Sequence, residues 1–195
     1  MIMNVWFESI KNGFDLYLKA APLALIVAFG IIYIKKSAFN PVHFIGVQCL
    51  ILYLSCLINV VLFPLPDAAA ISTLNGYKGQ YIPFKFVADI AKDKTIESVL
   101  QVAFNVMLTI PFGFFFKFVL NMKRRNIIIL TFLLSLTIEL AQLTGLFFIY
   151  PGSYRLFDVD DLMLNTLGGF AGTVLANCVS DLIPDTSNVS IAILS

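Results

Sequence analysis

The chain has 195 residues, a formal net charge of +1, 59% hydrophobic residues and only 13% charged residues. Soluble domains carry about 25% charged residues, so a soluble fold of this length is excluded, and the balanced charge gives no indication of nucleic-acid binding. The three cysteines lie in apolar stretches and His43 is the single histidine, which argues against redox sites, zinc sites and a Ser-His-Asp triad. The composition predicts an all-α integral membrane protein.

About five membrane-spanning helices are predicted, because a helix needs roughly 20 apolar residues to cross a bilayer. In chain order they occupy 16–34, 44–63, 98–120, 127–149 and 161–183. The apolar residues Trp6, Phe7, Ile10 and Phe14 recur at helical spacing and predict an interfacial helix before the first span. These predictions divide the chain into three parts: an N-terminal part (1–63), a second part (64–183) with a long loop and three spans, and a polar tail (184–195).

Basic residues in the short loops predict the orientation of the spans. They concentrate after the first span and around the turn that follows the third, which lie on one side of the membrane in this topology. They are Lys35, Lys36, Lys117, Lys123, Arg124 and Arg125. We therefore expect a cytoplasmic C-terminus, an external N-terminus and an extracytoplasmic loop 64–97, within which the apolar residues of 84–90 predict a membrane-surface helix.

Each of the last three spans carries one polar stripe, because its polar residues recur every three or four positions. The stripes are Glu97, Gln101, Asn105 and Thr109; then Ser135, Glu139 and Gln142; then Asp158, Asp161, Asn165, Gly168 and Gly172. With Arg155 they predict a polar pocket that faces outward. Asp160 is rotated about 100° from Asp161 and is expected to matter less. The three glycines Gly168, Gly169 and Gly172 predict close helix packing.

Glu139 is the most informative residue, because a carboxyl group in hydrocarbon costs about 2.5 kcal/mol or more. At 1.5 Å per residue it should lie about 15 Å below the outer end of its helix. Two interpretations are open. The first is a polar clasp in which Asn105, Glu139 and Asn165 satisfy one another, and the second is a ligand-binding or catalytic site.

Three segments resemble the signature segments of the VanZ-like family, which is named for a teicoplanin-resistance protein. They are "NVMLTIPFGF" (105–114), "SLTIELAQ" (135–142) and "RLFDVDDLMLNTLGGFAG" (155–172), and "YIPF" (81–84) is similar to the family's segment before its third helix. The matching positions are Asn105, Pro111, Gly113, Glu139, Gln142, Arg155, Asp158, Asp161, Asn165, Gly168 and Gly172. The resemblance implies a bacterial cell membrane and an effect on glycopeptide antibiotics.

Binding is the first functional hypothesis, with membrane lipids, a lipid-linked cell-wall intermediate or a lipoglycopeptide as the partner. The candidate ligand-binding residues are Asn105, Glu139, Gln142, Arg155, Asp158, Asp161 and Asn165. In this hypothesis Arg155 holds a phosphate or carboxylate as a bidentate fork, while the amides bond sugar or amide groups.

An enzyme is the alternative, acting on a lipid-linked envelope substrate. Glu139 would be the general acid or base, and Asp158 with Asp161 would hold a divalent cation such as Mg²⁺. Proton-coupled transport with Glu139 as the carrier is a third hypothesis, which the lack of an inverted sequence repeat disfavours.

Overall fold

The computed structural model describes residues 8, 10–22, 25, 41–62, 65–66, 68–71, 74 and 76–182. Helix α1 covers 10–22, and the later helices are α2 (Pro41–Leu62), α3 (Ala68–Ile71), α4 (Lys85–Asp93), α5 (Ile96–Phe118), α6 (Arg124–Leu143), α7 (Gly145–Phe148) and α8 (Val159–Leu182). Two short strands, β1 (Gly79–Gln80) and β2 (Phe157–Asp158), pair in parallel. The prediction of an all-α membrane protein is confirmed.

Four helices in the described part of the chain are long and apolar enough to cross a membrane: α2, α5, α6 and α8. They correspond to the second to fifth predicted spans. Large apolar side chains such as Met107, Leu133 and Leu175 stay exposed on the outside of these helices, as expected of helices that face lipid. Of the predicted first span, 16–22 is helical, and most of 23–34 lies outside the described residues, as do Trp6 and Phe7.

Helix α6 ends earlier than predicted, at Leu143 rather than residue 149. Beyond it, Gly145 to Phe148 have positive φ angles between 57° and 70°, so α7 is a single left-handed turn. Because Glu139 is four residues from the end of α6, it lies about 6 Å below that end. The predicted depth of about 15 Å is therefore wrong, and Glu139 lies close to the end of α6.

Helices α5 and α8 pack closely at glycines, as the sequence predicted. A Cβ atom built on Gly168 would lie 2.1 Å from the carbonyl oxygen of Val106, and one built on Gly172 would lie 2.1 Å from that of Ile110. On the other helix, a Cβ atom on Gly113 would lie 1.9 Å from the carbonyl oxygen of Gly169. Only hydrogen fits at these positions, so the two backbones approach each other directly.

The strand pair joins two segments at one end of the helix bundle. Gly79 pairs with Phe157 and Gln80 pairs with Asp158. The Ser153 hydroxyl adds a second connection between these segments. It accepts a hydrogen bond from the Lys78 N–H at 3.0 Å and donates one to the Leu143 carbonyl at 2.7 Å. The loop before α5 is therefore fixed against the segment that leads into α8, at the end where α2 and α6 finish.

Candidate functional site

Asp158 lies where β2 passes into α8, and it caps that helix. Its Oδ1 atom accepts a hydrogen bond from the backbone N–H of Asp160 at 2.8 Å, which satisfies one of the unpaired donors of a helix start. The same oxygen accepts from Gln80 Nε2 at 3.2 Å. Burial raises the pKa of Asp158, and the N–H of Asp160 partly opposes that rise.

Glu139 reaches the same junction from α6. Its side chain is buried, and Oε2 accepts a hydrogen bond from the backbone N–H of Asp158 at 2.9 Å. Arg155, Asp158 and Asp161 lie within electrostatic reach of its carboxyl group. We define the acidic cluster as Glu139, Asp158, Asp160 and Asp161, which surround the start of α8.

Polar residues of α5, α6 and α8 meet immediately below. The Asn105 amide donates a hydrogen bond to Asp161, and Thr109 Oγ1 donates to the Asn165 carbonyl at 2.6 Å. Asn165 Nδ2 donates to Ser135 Oγ at 2.9 Å. These contacts confirm that the three predicted stripes meet, while the role of these residues in ligand binding stays a prediction.

Only one of the two polar atoms in the side-chain amide of Asn165 has a hydrogen-bond partner among the described residues. The residue is 5% exposed, and among the described residues no donor bonds its Oδ1 atom. Buried acceptors are normally paired, because an unpaired one keeps its full desolvation cost. Asn165 lies one helical turn from Asp161 on α8, and its partner Ser135 lies one turn from Glu139 on α6. The Asn165–Ser135 pair therefore lies one helical turn from the acidic cluster.

The side chains of Gln142 and Arg155 both hydrogen-bond to the end of α2. Gln142 Nε2 donates to the Val61 carbonyl at 2.9 Å, and Arg155 Nη1 donates to the same oxygen at 3.1 Å. Val61 is in the last turn of α2, where carbonyl groups lack helical partners and attract cations. Both side chains therefore hold α2 against α6 and the segment before α8. The assignment of Arg155 to a phosphate gains no support from this contact.

Asp160 has a structural role that the sequence interpretation overlooked. It is 3% exposed, and its carboxylate accepts hydrogen bonds from the backbone N–H groups of Phe84 at 2.6 Å and Phe86 at 2.9 Å. These groups start α4, whose own N-cap residue, Phe84, makes no side-chain cap. Asp160 therefore caps α4 from α8, which makes it a principal structural contact of the acidic cluster, while the expectation that its replacement affects function less than that of Asp158 or Asp161 stays a prediction.

Gln80 is the site residue that the sequence analysis missed. It is buried, and its amide bonds Asp158, Asp160 at 3.4 Å and the backbone of Ile82. It lies in the two-residue strand β1, which is too short to show a repeating pattern of polar residues. Its acidic partners are about eighty positions away, so no local sequence pattern marks it. The adjoining "YIPF" segment resembles the family's segment before its third helix, and this resemblance was the signal that could have drawn attention to Gln80.

Replacing Asp160 tests its capping role. We expect Asp160→Ala to lower the free energy of unfolding by about 1–3 kcal/mol, because two N–H groups lose a charged acceptor. The matched control is Asp89→Ala, which breaks the exposed 3.1 Å ion pair with Lys85 on α4 and should cost about 0.5 kcal/mol or less. Thermal unfolding in detergent measures both. Equal shifts for the two variants would contradict the capping role.

A divalent cation has no evident set of ligands here. Across the described residues, no group of three or more His, Cys, Asp or Glu side chains is arranged to hold a metal ion. The candidate ligands Asp158 and Asp161 are bonded to Gln80 and Asn105 respectively, whereas a hard cation takes about six oxygen ligands.

Comparisons with known proteins agree with the sequence resemblance. A family model described as VanZ/LLP1 matches residues 50–184, a range that includes most of α2, all of the acidic cluster and the whole of α8. No curated protein and no solved structure matches the chain.

Proposed function

The chain belongs to the VanZ/LLP1 family, and from that premise we propose that it binds the polar headgroup of a lipid or lipid-linked cell-envelope component. The binding groups are the acidic cluster with Asn105 and Asn165, at the extracytoplasmic face of a bacterial cell membrane. Support comes from the placement of these groups. The carboxyl groups lie close to the ends of α6 and α8, near the depth at which headgroups begin, and Asn105 and Asn165 lie deeper, within α5 and α8.

The unpaired Asn165 Oδ1 atom is the observation that carries the proposal. A buried acceptor beside a group of carboxylates is suited to a ligand that supplies hydrogen-bond donors. Such a ligand would remove the cost of the unpaired oxygen, which gives binding a source of free energy. A purely structural clasp would leave this acceptor without a function.

The charges of the site favour a donor-bearing or cationic headgroup over a bare phosphate. The four carboxyl groups of the acidic cluster outnumber the nearby basic side chains, Arg155 and Lys85. Arg155 contacts the end of α2, and Lys85 pairs with Asp89. We therefore propose that hydroxyl, amide or ammonium groups are recognised by the acidic cluster, while the phosphate role of Arg155 stays a prediction.

Lipid binding to the purified protein tests this proposal. Native mass spectrometry can compare phosphatidylethanolamine, which has an ammonium group, with phosphatidylcholine, whose quaternary nitrogen has no N–H donor, and with phosphatidylglycerol. We expect phosphatidylethanolamine to bind roughly tenfold more tightly than phosphatidylcholine, because charge-assisted hydrogen bonds contribute about 1.5–3 kcal/mol.

A control variant separates binding at the site from general lipid contact. Thr131 is buried, and its hydroxyl bonds the Ile127 carbonyl within its own helix, so Thr131→Val should keep the lipid preference. A preference for phosphatidylglycerol that depends on the acidic cluster would contradict the ligand class. Equal binding of all three lipids would contradict the site itself.

The orientation is a separate prediction with its own measurement. In a cysteine-free background, Lys78→Cys in the loop before α4 should react with a membrane-impermeant thiol reagent added to intact cells. Lys123→Cys, between α5 and α6, should react only after the cells are opened, because the basic turn is cytoplasmic in our topology. Both residues are exposed. The reverse pattern would put the acidic cluster on the cytoplasmic side.

The effect on antibiotics follows from the location. A lipid-tailed glycopeptide such as teicoplanin acts at the outer membrane surface, where the proposed ligand also lies. By binding envelope components there, the protein would change the access of the antibiotic to its target. This part of the proposal is supported by the family resemblance, and susceptibility to teicoplanin is its measurement.

A further inference from the structure

Helix α4 has an apolar face that the described protein covers only in part. Val87 and Ile90 lie on the same face as Phe86, while Lys85, Asp89 and Lys92 lie on the opposite face. Within the described residues, α4 contains no fully buried residue: Phe86 and Ile90 are half-buried, and Val87 is 54% exposed. Helices of this kind, short and strongly amphipathic, lie in the interface of a membrane.

The left-handed turn α7 is a second apolar projection at the same end of the bundle. Phe147, Phe148 and the following Ile149 are 56%, 72% and 70% exposed. Phe147 and Phe148 have positive φ angles, which side chains beyond glycine avoid because of steric crowding. In water, the turn would combine backbone strain with exposure of three large apolar side chains. Burial in lipid offsets both costs.

The depth of the two projections is fixed by the helices that they adjoin. Two residues separate α4 from α5, which begins at Ile96, and one residue separates α7 from α6, which ends at Leu143. The apolar surface continues from α4 into α5, where Ile96, Val99 and Leu100 are 65%, 45% and 42% exposed. Both projections therefore lie where the hydrocarbon core passes into the headgroup layer.

We propose that α4 and α7 rest in the lipid interface at this end of the bundle, with Val87, Phe147, Phe148 and Ile149 inserted at the boundary between acyl chains and headgroups. The lysines of α4 extend toward the lipid phosphates. Since Asp160 caps α4, the inserted helix holds the acidic cluster at headgroup depth. The inference requires only that the spans cross a membrane, and it stands whether or not the cluster binds a ligand.

Quenching of tryptophan fluorescence tests the inference on the full chain in lipid nanodiscs. The native Trp6 is the single tryptophan and is replaced by Phe. Val87→Trp and Phe148→Trp then report on the two projections, and Lys92→Trp on the polar face of α4 is the matched control. We expect lipids brominated on the acyl chain to quench Val87→Trp and Phe148→Trp at least twofold more than Lys92→Trp. Aqueous acrylamide should show the opposite order.

Three results would overturn the inference. Equal quenching of Val87→Trp and Lys92→Trp by brominated lipid would mean that α4 has no oriented membrane contact. Protection of both test positions from acrylamide without lipid quenching would mean that a second protein chain covers them. Free access of acrylamide to Phe148→Trp would place the turn in water. A spin label at Val87, with oxygen accessibility as the readout, replaces the tryptophan if that variant does not fold.

Discussion

Gly168→Ala is expected to destabilise the protein by at least about 2 kcal/mol, although helix propensity alone would make the substitution stabilising by about 1 kcal/mol. The added methyl group would lie 2.1 Å from the Val106 carbonyl oxygen and 2.3 Å from Thr109 Oγ1. A backbone oxygen cannot move without separating α5 from α8. That separation would also stretch the bond from Thr109 to the Asn165 carbonyl, so binding at the site should fall with stability.

The matched control is Gly46→Ala in α2. There the added methyl group would meet Val119 Cγ2 at 2.8 Å, and a side-chain methyl group can rotate away. We expect a loss of about 1 kcal/mol or less, because the gain in helix propensity opposes a small packing cost. Unfolding temperatures in detergent measure both variants. A more stable Gly168→Ala protein would contradict the close contact of α5 and α8.

The sequence predicted the parts of this site that repeat along a helix. Asn105, Asp161 and Asn165 recur at helical spacing within apolar segments, so their shared faces follow from the geometry of the α-helix. Their approach to one another follows from the glycines of α8, which indicate where a helix can come close. These features are local, and residues within a few turns determine them.

The remaining contacts depend on segments that are far apart in the chain. Nothing near Gln80 indicates that it meets Asp158, and nothing near Asp160 indicates that it caps α4 from a different helix. The end of α6 was misplaced because Phe147, Phe148 and Ile149 continue the apolar run after the helix has stopped. In a membrane protein an apolar residue can face lipid in a turn as well as in a span, so hydropathy alone does not mark the helix end.

Glu139→Gln is expected to abolish selective headgroup binding while the protein still folds. The amide oxygen of Gln can accept the hydrogen bond from the Asp158 N–H that Glu139 Oε2 now accepts, and the shape of the side chain is kept. The substitution adds no volume and introduces no buried charge. We therefore expect a change in the free energy of unfolding of about 1 kcal/mol or less.

Loss of function in this variant follows from the charge of the site. The carboxyl group of Glu139 lies in reach of those of Asp158 and Asp161, and together they would attract an ammonium or hydroxyl donor. Replacing the Glu139 carboxyl group by an amide removes one oxygen acceptor and introduces an N–H₂ group that competes with the ligand for the remaining acceptors. A structural clasp would tolerate the change, because hydrogen-bonding capacity is retained.

The most direct test measures the phosphatidylethanolamine preference of wild-type and Glu139→Gln proteins side by side, with unfolding temperatures recorded on the same preparations. The account predicts unfolding temperatures within a few degrees of each other, a roughly tenfold preference for phosphatidylethanolamine over phosphatidylcholine in the wild type, and no preference in the variant. A Glu139→Gln protein that folds normally and keeps the full lipid preference would contradict the proposal that the acidic cluster binds a headgroup.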